Sequence, residues 1–145
     1  MENDIYQKLA QHLDNLPGGF PATESGVELR ILRRLFTPEE AQLTLHLTLI
    51  PEEARVVARR AKIGIDEAGR RLEEMARKGL IFSVELEGGV RQYMVSQLVI
   101  GIWEFHVNDL DEEFVRDMDE YLPTLFKEAW KTPQMRTIPI NRSIT

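Results

Sequence analysis

The chain has 145 residues, a hydrophobic fraction of 43%, a charged fraction of 29% and a formal net charge of -6. These values exclude wholesale disorder, and folding at this size buries roughly 68 to 70% of the unfolded surface, enough for a core without covalent staples. The absence of cysteine excludes disulfides, thiolate metal sites, a cysteine nucleophile and iron–sulfur ligation within these residues.

The opening MENDIYQKLAQHL lacks the basic start and apolar middle of a secretory signal. No apolar run approaches the roughly 20 residues that span a bilayer, so a soluble cytoplasmic protein is expected. Ile5, Leu9, Leu13 and Leu16 form one stripe of a short docking helix, which Pro17-Gly18-Gly19 ends. Thr23 or Ser25 then caps a second helix with Val27, Leu29, Ile31, Leu32 and Leu35 inward. Thr37-Pro38-Glu39-Glu40 begins a third, carrying Ala41, Leu43, Leu45 and Leu47; Pro51-Glu52-Glu53 opens a fourth in the same manner, with Ala54, Val57, Ala58 and Ala61 inward.

Asp66 is placed to cap a fifth helix, with Ala68, Leu72, Met75 and Ala76 on its core face and Gly79 as terminator. From Ile81 the period changes to two. Ile81, Val84 and Leu86 mark one arm of a hairpin, Gly88-Gly89 its tip, and Val90, Tyr93 and Val95 the return. The predicted fold is therefore mainly α with a small β-hairpin, a winged helix-turn-helix with additional N- and C-terminal helices.

Residues 98–107, LVIGIWEFHV, are apolar nearly throughout, so periodicity does not separate a buried helix from a buried strand; a helix is the leaning, with a strand left open. Asp111-Glu112-Glu113 then starts a helix through Phe114, Val115, Met118, Tyr121 and Leu122. Pro123 should break or kink it, leaving Leu125, Phe126 and Trp130 on a continuation. After Thr132-Pro133 the helical stripe disappears. The expected division is a winged-helix domain over 1–97, a helical extension over 98–131 and a linker over 132–145.

Residues 51–91 hold nine Lys/Arg against eight Asp/Glu, whereas residues 104–131 hold three against nine. Arg70, Arg71, Arg77 and Lys78 on the fifth helix would reach phosphates, with Arg91 of the wing in the minor groove. Asp66, Glu67, Glu73 and Glu74 share that surface and oppose a polyanion; i,i+4 pairing of Glu73 with Arg77 and Glu74 with Lys78 is the plainer use. Arg55, Arg59, Arg60 and Lys62 form a second basic group, suited to a phosphate, an acidic partner or the negative end of the helix dipole; Arg30, Arg33 and Arg34 form a third.

His12, His46 and His106 have no metal-ligand spacing. His106 with Asp109 and Asp111 is the one local grouping of ligand types, and no motif for a catalytic site appears. The chain is therefore not expected to be an enzyme or to hold a metal. Trp103, Phe105, Phe114, Met118, Tyr121, Phe126 and Trp130 load the acidic C-terminal part with apolar surface. Core packing would take most of it, and the excess would face a second copy or a neighbouring domain.

The segments LAQHLDNLPGGFPATESGVELRILRRLFTPEEAQL, AGRRLEEMARKGLI, GIWEFHVNDLD and RTIPINRSI together resemble the N-terminal region of 4Fe-4S ferredoxin-type proteins of anaerobic bacteria and archaea. The resemblance implies a winged-helix region preceding a cysteine-rich region that holds the 4Fe-4S cluster, with Ile138 to Ile144 at the start of the connection. No cluster ligand falls on a residue of this chain. The partners it implies are the protein's own iron–sulfur region or a second copy, with DNA as the alternative and no membrane.

Overall fold

A computed structural model describes residues 2–86, 88–97, 102 and 111–129. The expected helix over 98–107, apart from Ile102, and the linker over 132–145 lie outside them. The described chain is mainly helical with a three-stranded antiparallel sheet. Three helices come first: α1 (Glu2–Asp14), α2 (Val27–Leu35) and α3 (Pro38–Thr44). The stripe expected for α1 is buried through Ile5, Leu9 and Leu13. Tyr6 adds to it, its hydroxyl donating to the Phe36 carbonyl at 2.6 Å. Thr23 and Ser25 both serve the start of α2 although neither is its cap residue: Gly26 holds that position with φ 76°, and the Thr23 hydroxyl accepts from the amides of Gly26 and Val27. Thr37 and Glu40 close a capping box on α3. That helix stops at Thr44, so Leu47 is buried from the loop that follows.

The expectation that Pro51-Glu52-Glu53 opens a helix is incorrect. Glu52–Glu53 is a short strand, β1, and α4 (Ala54–Ala61) begins immediately after it. The cause is tertiary: β1 pairs antiparallel with β3 (Arg91–Val95), Glu52 opposite Tyr93, which satisfies main-chain groups that a helix start would leave open. Next come α5 (Ile65–Arg77) and β2 (Ile81–Glu85), and the sheet order is β1-β3-β2. Asp66 does not cap α5. Gly64 takes the extended cap conformation, which puts Asp66 in the first turn, where its charge still suits the helix dipole.

Helix α6 (Glu112–Thr124) is capped as expected, Asp111 Oδ1 accepting from the Phe114 amide at 2.8 Å. Pro123 does not stop it. The proline sits in its last turn, and the bonding changes there from α to π over Leu125–Ala129, because proline offers no N–H to the ladder. Helix α6 packs on α2, and one apolar cluster runs from Ile5 through Leu72 and Val95 to Leu125. Of the segment 98–131, Ile102 and the described residues Phe114, Met118, Tyr121 and Leu125 belong to that same cluster.

The turn after α1 is tied to the far end of the sheet. The Gly18 amide donates to Gln97 Oε1, and a Cβ at Gly18 would lie 2.7 Å from that oxygen, so a larger residue there would push the Gln97 side chain aside. No helix among the described residues is long and apolar enough to cross a membrane.

Candidate functional site: the outer face of α5 and the hairpin

Ala68, Leu72 and Met75 turn one side of α5 inward, which leaves the charged side outward beside the β2–β3 hairpin. There the basic residues meet the protein's own acids. Arg71 bonds Glu67 at 3.2 Å and the Glu39 carbonyl at 3.0 Å; Arg77 bonds Glu74 at 2.8 Å. Arg91, at the start of β3, bridges Glu73 and Glu85, each at 3.3 Å. The Tyr93 hydroxyl donates to the other oxygen of Glu73 at 2.9 Å. Burial, and then that bond to a carboxylate, push the phenol up to about 12.

The i,i+4 pairs expected between Glu73 and Arg77 and between Glu74 and Lys78 do not form. Arg91 and Tyr93 draw Glu73 to the sheet, Lys78 crosses to Glu40 of α3, and Glu74 pairs instead with Arg77 one position nearer. Arg70 is exposed and has no ion pair among the described residues. Each of these exposed pairs is worth roughly 0 to 1 kcal/mol of stability. Their larger effect is on the field, since an arginine already beside a carboxylate offers a phosphate little net charge.

The basic residues of α4 divide. Arg55 pairs with Glu53 at 3.1 Å, and Arg60 with Glu52 at 2.8 Å while also donating to the His46 carbonyl. The hydrogen bond to Glu52 makes Arg60 still more basic. Among the described residues Glu52 Oε1 is buried without a partner, and Arg60 is the cation that offsets that carboxylate. Arg59 and Lys62 are exposed and carry no ion pair among the described residues. In the third basic group, Arg30 reaches Asp117 at 3.3 Å and Glu120 at 3.1 Å. Arg34 bonds Asp111 and Glu113 and lies 5.3 Å from the Phe114 ring centre. Those two arginines hold α6 in place.

Phe114, Met118 and Tyr121, candidates for an interface, are at most 1% exposed and belong to the core. They face inward because the acids between them face the α2 arginines. Phe126 is 48% exposed; Trp103, Phe105 and Trp130 lie outside the described residues. The apolar side chains left outward also include Ile50, Ile65, Leu86 and Val90, the last two flanking the hairpin tip. Sequence reading missed Ile50 and Ile65, which follow Leu49 and Ile63-Gly64 and carry no local mark of exposure. It also missed Glu40 as the partner of Lys78, which only the approach of the first turn of α3 to α5 reveals.

His12 donates through Nε2 to the Leu47 carbonyl at 2.7 Å. Burial, then the charges of Arg60 and His12, lower the pKa of His46. Asp111 is spent on its cap, while His106 and Asp109 lie outside the described residues. Among the described residues no group of three or more His, Asp or Glu side chains is gathered to hold a metal. With no cysteine in the chain, its residues also do not fit a 4Fe-4S cluster. Compared with protein-family models, curated proteins and solved structures, the chain matches none, and its functional reading rests on this geometry.

Proposed function

We propose that the chain is a non-catalytic winged-helix module that joins proteins: its partner is a second copy of itself or the iron–sulfur region of a cytoplasmic 4Fe-4S ferredoxin-type protein. The winged-helix reading draws on the succession α3, β1, α4, α5, β2, β3 with sheet order β1-β3-β2, in which a helix pair precedes a hairpin. The observation that carries the function is the self-pairing of the outer face: Arg71, Arg77 and Arg91 each hold a carboxylate of their own chain. A surface so neutralised gives up few counterions on meeting DNA, and counterion release supplies most non-specific affinity.

The test is an anisotropy titration with duplex DNA at several salt concentrations, for the native chain and for a Glu67→Gln, Glu73→Gln, Glu74→Gln triple variant. The native chain should bind more weakly than roughly 1 μM at physiological salt, with a shallow salt slope; the triple variant should bind more tightly and with a steeper slope. Tight native binding that falls on Arg70→Glu would replace this reading with a redox-linked DNA-binding domain. Sedimentation of the native chain beside a Leu86→Lys, Val90→Lys variant then asks whether the hairpin tip mediates self-association.

A further inference from the structure

A cleft of about 350 Å³ opens between α1 and the start of α2, within the roughly 300 to 1,000 Å³ range of small-ligand sites. Gln7, Gln11 and Asp14 line its α1 side, Thr23 and Glu28 the other. Glu28 is only 4% exposed. Its Oε1 accepts from the Thr23 amide at 3.1 Å and the Thr23 hydroxyl at 2.6 Å, which accounts for that oxygen as part of the α2 start. Its Oε2 takes no hydrogen bond among the described residues. Asp14 is similar: Oδ1 accepts from the Phe20 amide at 2.7 Å, and Oδ2 has no such partner.

Two carboxylates therefore share one cleft, one of them nine-tenths buried, and neither has an ion pair among the described residues. Thr23 and the positive start of α2 already steady Glu28, and a cation at the cleft would add the counter-charge that neither carboxylate has among the described residues. Both charges act on the Tyr121 phenol, which burial first, then Glu28 and Asp14, push far above its ordinary range. Two carboxylates are too few for a metal that takes six or more oxygens, and among the described residues no third ligand group joins them. An organic cation fits better, because its several N–H donors divide among Glu28, Asp14 and the amide oxygens of Gln7 and Gln11. Ala10 and Leu29 line the same cleft and offer contact to an aliphatic stem.

We propose that this cleft binds a guanidinium or primary ammonium group on an aliphatic stem, with Glu28 and Asp14 as its anionic partners. The site is separate from the α5 face and stands or falls independently of the protein-joining role. Amide-resolved NMR titrations of the full chain test it with agmatine as a free amine and with a blocked Gly-Arg-Gly peptide as a protein side chain. The same peptide carrying citrulline is the neutral control.

Saturable shifts are expected at Thr23, Gly26 and Glu28 from agmatine, the arginine peptide or both, and none from the citrulline peptide. Which probe binds identifies the source of the cation. Glu28→Gln keeps an oxygen for Thr23 and removes the charge, and should weaken binding about tenfold or more. Asp14→Asn should weaken it in the same direction, and serves if Glu28→Gln unfolds the chain. No saturable shift from either cationic probe, equal binding of the citrulline peptide, or unchanged affinity in a folded charge-removing variant would overturn the proposal.

Discussion

The Tyr121 hydroxyl donates to the Pro21 carbonyl at 2.9 Å, across 100 residues of chain, while its ring leans on Phe20 at 5.1 Å between centroids. One side chain thus joins α6 to the turn that follows α1. Tyr121→Phe removes the hydrogen bond and leaves the packing, and should cost roughly 0.5 to 1.5 kcal/mol. Tyr121→Ala leaves a void and should cost more, about 3 to 5 kcal/mol by analogy with other large aromatic truncations. Denaturant midpoints at constant slope measure both. Equal losses would show that the hydroxyl, and not the ring, is what matters.

Asp111 does two things that a pair of substitutions can separate. It caps α6 and pairs with Arg34. Asp111→Ala loses both and should destabilise by roughly 0.5 to 2 kcal/mol, whereas Asp111→Asn keeps a capping oxygen and gives up only the charge. The difference between the native chain and Asp111→Asn should stay within about 1 kcal/mol and shrink at high salt, as expected of an exposed pair.

Acid should weaken the fold through His46, whose folded pKa lies below the ordinary 6.5 because of burial and then the charges of Arg60 and His12. The unfolded state then binds the proton more readily, so stability is full above 6.5 and declines as pH falls below it. His46→Gln removes a titrating group and should flatten this part of the pH–stability curve, measured by thermal or urea unfolding. A curve identical to that of the native chain would remove His46 as its cause.

Alkali should act through the hairpin. Tyr93 holds its proton up to about 12 against an ordinary 10, so its contribution is complete below 10 and is lost as pH rises towards 12. Tyr93→Phe should reduce the alkaline loss and, at neutral pH, cost roughly 1 kcal/mol for the bond to Glu73. Glu73→Gln should lower the midpoint at which phenolate absorbance appears. A midpoint left in place would mean that burial alone sets it.

The hairpin and the core faces of the helices were legible because they follow local rules. Gly88-Gly89 marks the tip, Leu9 and Leu13 repeat at helical spacing, and Asp111 precedes an apolar stripe. The short strand β1 was not, because two glutamates after a proline carry a helix-start pattern that main-chain pairing with Gln92 and Tyr93 overrides. The partners of the basic residues were equally hidden. Glu73 turns to Arg91, and Lys78 to Glu40, 38 residues away, distances that no helical period encodes. One tertiary clue did exist in composition: an acidic C-terminal stretch and the Arg30, Arg33, Arg34 group are complementary, and two of those arginines clasp α6. For the α1–α2 cleft, the sequence names Asp14 and Glu28, but only the fold brings them to one opening.

Because α6 is fastened to α2 by Arg30 and Arg34, tension applied beyond Ala129 would pull on the N-terminal helices before it reached the hairpin. A pull on Ala129 would thus load one side of the molecule first and reach the β2–β3 hairpin only through the shared core.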